Sequence, residues 1–288
     1  MPLGMSRDVT LLDGGGPRGP RAALDLGSSR LRASVPAHEV LIDRPSSIAV
    51  SPTPAGRRPR GHDAARWTEQ GRRYPIRHGI VTDVQGCTQL TRCALLDAAV
   101  VAPPGELLLA VPAAATAADR MRAVTAVRAA GGCPVSTVEA VLAAAIGAGR
   151  AVTDARPYLV MDIGAGVVEM AVVARWRLVR ARSIRYLPTV SAGHPDPRLP
   201  QYVQEQLAVE LRRMLTDLPP RVRVPARARG LLLTGGCAVL PSLPGRLAAQ
   251  LAMGVHVAPD PARATIRGLA RLCLAPAGVR EAVARPAP

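Results

Sequence analysis

The sequence predicts an α/β protein of two related halves, each a mixed sheet with packed helices, and three stretches carry that prediction. In Tyr158–Val173, YLVMDIGAGVVEMAVV, an apolar run meets Asp162, turns through Gly164-Ala165-Gly166 and leaves as a second apolar run. Short apolar runs on either side of a glycine turn read as two buried strands of a hairpin. Ala22–Val35, AALDLGSSRLRASV, repeats the order with Asp25 and Gly27. Asp25 and Asp162 stand 137 residues apart, as in a duplicated half-domain. The third stretch, Gly230–Leu240 (GLLLTGGCAVL), is a buried-strand pattern that ends in Gly235-Gly236 and runs into a helical pattern.

The chemistry of these turns follows from what they lack. Without large side chains, their backbone N–H groups can approach an anion closely. Asp25 and Asp162, each at the tip of a first strand, cannot hold phosphate, but a carboxylate there can position a hydrated Mg²⁺ that phosphates share. The plain alternative is ordinary hairpin chemistry. Ser28 and Ser29 add hydroxyl donors, and Arg30 either joins them at a phosphate or lies on an exposed strand face. A glycine pair such as Gly235-Gly236 lets a flat group lie against the backbone.

Taken in order, the chain opens with a tail over 1–20, rich in glycine and proline and without the apolar stripe of a membrane-binding helix. After the first hairpin, His38–Tyr74 is rich in Pro, Arg and Gly, with one strand-like run around Ser47–Val50 and a loop-like stretch at Ser51–Asp63. Asp83 caps a helix with Leu90, Ala94, Leu95 and Ala98 on one face. Glu106–Val111 is a buried strand stopped by Pro112. Thr116 and Asp119 form a capping box, with Asp in the usual Glu place, for a helix that Gly131-Gly132 ends. Ser136–Val138 is a short strand leading into a helix over Glu139–Gly147, where Glu139 favours the positive dipole end.

Beyond the second hairpin, Arg177–Ile184 is strand-like and Pro188–Pro200 reads as a link. One amphipathic helix follows, with Val203, Leu207, Leu211, Met214, Leu215 and Leu218 on its face. Ser242–Met253 is helical by period, and Asp260-Pro261 signals a last helix to about Leu274, before a C-terminal tail.

Composition narrows the class. Apolar residues make up 48% of the 288, yet Phe is absent and aromatics are 2%, so the core must be built from Ala, Val and Leu. Such a core buries less area per side chain. Lys+Arg 37 against Asp+Glu 21 gives a net charge of +16. That charge suits an anionic membrane surface, or else reflects the coding bias of a GC-rich genome. Nucleic acid is a weaker option, and the arginines are scattered rather than clustered, which favours the compositional reading over any anionic partner. Five cysteines without a C-x-x-C pair fit a reduced, cytoplasmic chain better than a disulfide framework. No apolar run is long enough to span a bilayer and no signal-peptide pattern opens the chain, so a soluble intracellular protein is expected. The five histidines (His38, His62, His78, His194, His256) show no ligand spacing.

The three glycine stretches in this order resemble the actin-like ATPase superfamily, and most closely the MreB-like bacterial actins. RHGIVTDVQGCTQLTRCAL (Arg77–Leu95), LLLAVPAAATAADRMRAVTAVRAAG (Leu107–Gly131), VEAVLAAAIGAGRAVT (Val138–Thr153) and VHVAPDPARATIRGLARLCL (Val255–Leu274) extend the resemblance over most of Arg21–Leu274. It implies a duplicated, ribonuclease H-like fold of two domains around a central nucleotide cleft, with small subdomains reduced or absent. The first domain covers 21–157, with a reduced insert at 36–76 and the C-terminal helix at 260–275 completing it. The second covers 158–259, and 276–288 is a tail.

The resemblance also implies ATP and Mg²⁺ as cofactors. Gly27, Ser28, Ser29 and Arg30 would meet the phosphates from one side, and Gly164, Ala165, Gly166 and Val167 from the other. Gly235, Gly236, Cys237 and Ala238 would lie by the adenosine, with Cys237 in place of a third glycine. Asp25 and Asp162 would hold the metal through water, and Glu139 would orient the attacking water. Departures are plain. Ser28-Ser29-Arg30 replaces Thr-Ala-Asn, and Ala140 replaces a second acidic residue. Ala165, Val167 and Val168 stand where the family has Gly, Thr and Thr. Several dozen residues of the second small subdomain, including a helix that serves the adenosine, are missing. Losing the hydroxyl at Val167 costs a hydrogen bond to a charged group, about 1.5–3 kcal/mol.

Two functions follow. One is an ATPase that polymerises, alone or with a related bacterial actin, and organises cell-wall synthesis at the membrane's inner face. The other is a degenerate scaffold that binds filaments or wall-synthesis proteins with ATP and Mg²⁺ weakened or lost.

Overall fold

The computed structural model describes residues 19–49, 68–69, 72–98, 104–150, 154–191 and 194–286. The tail at 1–18 and the loop at Ser51–Asp63 lie outside them. In the first half, β1 (Arg21–Leu26) and β2 (Arg30–Val35) pair antiparallel, and β3 (Val40–Pro45) continues the meander. The turn at Gly27 demands glycine, because a Cβ there would lie 2.6 Å from the Arg30 carbonyl oxygen. Small strands follow: β4 (Ile48–Ala49), β5 (Thr68–Glu69) and β6 (Arg72–Arg73) form one sheet, β7 (Ile76–Arg77) and β8 (Ile80–Val81) a hairpin.

Asp83 then caps α1 (Val84–Asp97), accepting the Gly86 N–H at 3.0 Å. β9 (Glu106–Val111) runs parallel to β1, and α2 (Ala117–Gly131) opens on the Thr116–Asp119 capping box. Gly132 ends α2 in the left-handed region at φ 64°. β10 (Val135–Glu139) lies parallel to β9, and α3 (Ala140–Gly147) follows without a break.

The second half repeats this plan. β11 (Tyr158–Ile163), β12 (Val167–Ala174) and β13 (Arg177–Arg185) form an antiparallel meander. β14 (Thr189–Ser191) and β15 (His194–Arg198) pair as a short hairpin, followed by α4 (Gln201–Thr216) and α5 (Pro220–Ala228). β16 (Leu231–Thr234) runs parallel to β11, and after α6 (Leu243–Leu251), β17 (Val255–Val257) runs parallel to β16. α7 (Ala264–Leu274), α8 (Ala277–Val283) and β18 (Arg285–Pro286) complete the chain. The sheets read β18-β10-β9-β1-β2-β3 and β13-β12-β11-β16-β17. Apart from β18, order and strand sense are the same in both, so the repeat seen in two hairpins extends to two whole sheets.

Four expectations need correction, and a fifth is refined. β3 belongs to the main sheet rather than to a reduced insert, because Val40 and Ile42 pack on the core while Asp43, Arg44 and Pro45 interrupt the apolar pattern. The stretch expected as a proline-rich link holds the β14–β15 hairpin. A second helix, α5, follows α4; Pro220 sits at its first turn and Ala226 is buried, although its prolines and arginines imitate a link. The C-terminal stretch is not a tail: Val283 is buried and β18 pairs with Ser136 and Thr137. Asp260 does stand at the N-cap with Pro261 at the first helical position, but it makes no side-chain capping bond. Its carboxylate meets Arg267 at 3.0 Å, Pro261–Arg263 is a 3₁₀ turn, and α7 begins at Ala264.

Strand alternation sorts the side chains into three cores. Leu107 and Leu109 join the outer core with α1 and α2, whereas Leu108 and Ala110 face the centre. Leu159, Met161 and Ile163 pack with α4 and α6, whereas Val160 faces the centre. Between the sheets lie α3 and α7, crossing at Gly147 and Gly268. A Cβ on Gly147 would lie 1.8 Å from the Ala264 oxygen, and one on Gly268 1.8 Å from the Ala143 oxygen. Helix α3 is apolar all round, as a helix sandwiched between two sheets must be. Among the described residues, the only aromatic side chains in the buried core are Tyr158 and Tyr186.

Candidate functional site

The two hairpin turns and the Gly235 turn face a single cleft of about 490 Å³ between the halves. On the first wall, the β1–β2 turn is braced from behind. Ser46 donates its hydroxyl to the Gly27 oxygen at 2.6 Å, and the Ser46 N–H meets the Ser29 oxygen at 2.9 Å. Ser28 Oγ accepts the Gly79 N–H at 2.8 Å, so the β7–β8 hairpin holds that hydroxyl in place. Strand register sets Asp25, Arg32 and Asp43 directly opposite one another across β1, β2 and β3. Arg32 lies 3.4 Å from Asp25 and 3.2 Å from Asp43. Arg30 is committed to Asp43, with Nε at 2.5 Å from Oδ1 and Nη2 at 2.8 Å from the Asp43 carbonyl oxygen. Arg30 thus pairs with Asp43 while also lining the cleft.

On the second wall, Gly164 N–H donates to the Val167 oxygen at 3.0 Å and closes the β11–β12 turn. Gly166 has φ 107°, where a side chain would be strained, and its oxygen accepts the Tyr186 N–H at 3.0 Å. The same oxygen lies 2.8 Å from the His78 ring, so a first-half residue reaches the second-half turn. The Tyr186 hydroxyl donates to the Gly164 oxygen. Asp162 accepts the Thr234 hydroxyl at 2.9 Å. At the cleft's third side, Gly235 has φ 87° and donates to the Pro261 oxygen at 2.8 Å. A Cβ on Gly235 would lie 2.4 Å from the Ile163 oxygen, whereas one on Gly236 would meet nothing within 4 Å.

Of the residues singled out in the sequence, Asp25, Gly27, Ser28, Ser29, Arg30, Asp162, Gly164, Ala165, Val167, Gly235, Gly236 and Cys237 all line the cleft. Gly166 instead anchors the turn, and Ala238 is fully buried beneath the 3₁₀ turn over Gly236–Val239. Glu139 ends β10 just outside the lining, 3.9 Å from Arg285 Nη2, while its neighbour Ala140 is part of the wall. Three contributors are additional. Arg32 and Glu169 both line the cleft, and Thr234 holds Asp162. Glu169 is a retained residue of the second hairpin's motif, and Arg32, like it, stands seven positions after its hairpin's aspartate.

Electrostatics divide the walls. Burial raises the Asp25 pKa, opposed by Arg32. Burial, with Asp25 nearby, pushes Asp162 up to about 6 against the Thr234 hydrogen bond. Glu169, 2% exposed, is pushed up to about 8, by burial first and by Asp162 next. Its Oε1 accepts the Ala113 N–H at 2.6 Å, a hydrogen bond from one half to the other. Burial and the neighbouring Asp162 therefore favour the protonated form of Glu169.

The residues fit a nucleotide and do not fit a divalent ion at Asp25. Three glycine turns expose backbone to one cleft of ligand size. The Asp25 carboxylate, however, already faces a guanidinium, and a divalent cation beside it would meet like charge. Among the described residues, no cluster of three or more His, Cys, Asp or Glu side chains is placed to bind a metal, and no helix is long and apolar enough to cross a membrane.

Known proteins agree with this architecture. MreB5 of Spiroplasma citri, in structures bound to ADP and to AMPPNP, matches with a TM-score of 0.72 at 18% identity, covering 88% of this chain and 95% of that one. The likeness shows an actin-like fold. The cell shape-determining protein MreB of Escherichia coli (strain K12) is 28% identical over 178 residues, 57% of this chain and 50% of that protein. The Pasteurella multocida protein of the same name is 27% identical over 183 residues. The chain spans about half the length of these curated relatives. A sequence model of the MreB/Mbl protein family matches residues 20–213 and 198–277. With that match over most of its length, and with two equivalent sheets closing on one glycine-lined cleft, the chain belongs to the MreB/Mbl family.

Proposed function

We propose that this protein is a nucleotide-binding cytoskeletal protein of the MreB type, working in the cytoplasm and assembling with itself or with a related bacterial actin. The observation that carries the reading is the convergence of three glycine turns, from two equivalent sheets, on one cleft. Phosphates would lie between Gly27–Ser29 and Gly164–Gly166, and the adenosine against Gly235–Cys237. A ligand gripping both turns would favour one relative placement of the halves, and so one assembly state. MreB5 of Spiroplasma citri binds ADP and AMPPNP, and the relatives are named for determining cell shape, which supports cell-wall organisation as the process served.

A second reading, a scaffold with little or no hydrolysis, is favoured by two observations. Glu139 sits outside the cleft lining beside Arg285, and Val167 offers no hydroxyl to the phosphates. The test is ATP binding and ATP-dependent pelleting of the purified protein, with Gly236→Leu as control. That position has room for a side chain, so the variant should fold yet lose ATP. Wild-type binding that Gly236→Leu abolishes supports the reading, whereas no saturable binding sinks it. Phosphate release that Glu139→Ala eliminates would decide for the ATPase over the scaffold.

A further inference from the structure

A guanidinium is already built into the cleft wall. Asp25, Arg32 and Asp43 form a row across three strands, so register alone sets one arginine between two carboxylates. Arg32 Nη1 lies 3.4 Å from Asp25 Oδ2, and Nε lies 3.2 Å from Asp43 Oδ2. The Arg32 and Asp25 side chains are 12% and 14% exposed, so water screens the pair weakly. Both residues line the cleft beside the Gly27–Ser29 turn. Nε and Nη1 carry the hydrogen bonds of Arg32, which leaves the two N–H groups of Nη2 for a ligand. A planar guanidinium held rigidly by two carboxylates is pre-organised for phosphate oxygens.

Arg30 also lines the cleft, but its side chain is 41% exposed and paired with Asp43 alone, so solvent screens its charge more than that of Arg32. Arg263 also points to Asp43, at 3.5 Å. Arg32 alone joins Asp25 to the row.

We propose that Arg32 is the cleft's own counter-ion for phosphates, so that this chain holds a nucleoside di- or triphosphate without a divalent metal. The proposal rests on the nucleotide reading above and adds how the phosphate charge is met. Asp25 serves to position the guanidinium rather than a hydrated ion. The guanidinium cannot leave, so binding becomes insensitive to free magnesium.

The test is titration calorimetry of ATP into the intact protein, once in EDTA and once in magnesium. The two affinities should agree within about threefold. In EDTA, Arg32→Leu should lose about tenfold or more, the cost of a charged hydrogen bond, and Arg32→Lys should lose less because it keeps the charge. Binding that weakens tenfold or more when magnesium is removed overturns the proposal and leaves the nucleotide reading standing. Arg32→Leu binding as tightly as wild type in EDTA overturns it too. No binding in either buffer overturns both. The wild-type pair of titrations decides even if Arg32→Leu does not fold.

Discussion

The two hairpins at the cleft share a backbone plan and differ in the residue that faces the aspartate. In the first, Asp25 stands opposite Arg32; in the second, Asp162 stands opposite Glu169. The same register therefore gives one hairpin an ion pair and the other a pair of carboxyls. A buried carboxylate needs either a cation or a proton. Arg32 supplies the cation to Asp25, and a proton meets the need at Glu169, whose pKa is pushed up to about 8. The turns differ in the same spirit. Ser28 and Ser29 give the first wall hydroxyls, while Gly164, Ala165, Gly166 and Val167 give the second none. A duplicated fold has thus kept its geometry while placing the hydroxyl donors of its two turns on one wall.

Copying the second arrangement into the first should have the largest effect. Arg32→Glu would set a third carboxylate between Asp25 and Asp43 and should destabilise the fold by about 3–5 kcal/mol, the cost of a broken buried pair. Thermal unfolding checks this, and an unchanged melting temperature would mean that the row is solvated. Adding a hydroxyl to the poorer wall comes next. Val167→Thr should tighten ATP by about tenfold, matching roughly 1.5 kcal/mol for a hydrogen bond to a charged group. Equal affinities by calorimetry would show that phosphates do not approach this turn.

Ser28→Ala should weaken ATP by roughly fivefold, near 1 kcal/mol, because the hydroxyl held by Gly79 would be gone. The smallest effect at neutral pH belongs to Glu169→Gln, because the protonated carboxyl and the amide are alike in shape and charge. Its signature is pH dependence. A carboxyl whose native pKa is raised from 4.5 to about 8 contributes stability that is fully present below about 4.5 and is lost as pH rises through about 8. Denaturant midpoints of the wild type should therefore fall across that window, and those of Glu169→Gln should fall less. Parallel slopes would show that Glu169 carries no extra proton in the native state.

Much of this was legible in the sequence because it depends on local signals. The Gly27 and Gly164 turns, the Asp83 cap, the Thr116–Asp119 box and the Glu106–Val111 strand are each written within a few residues. Arg32 was harder, since its meaning appears only when strand register sets it against Asp25. The seven-residue step that it shares with Glu169 is its only signal in the sequence. β3 and β18 were obscured because edge strands are covered on one side only, so their apolar alternation is short and interrupted. α5 was obscured by Pro220 and Pro225, residues that suit a link as well as they suit a short helix. Glu139 is marked by the family resemblance rather than by a local signal. Its side chain lies 3.9 Å from Arg285 at the end of β10, next to the cleft wall at Ala140.

The central claim is that one nucleotide bridges both hairpins. Backbone hydrogen exchange with and without saturating ATP tests it most directly. The account predicts slowed exchange at both turns, Gly27–Ser29 and Gly164–Gly166, with Gly235–Cys237 protected as well. Protection confined to one wall, or absent from both turns while ATP binds, would contradict it.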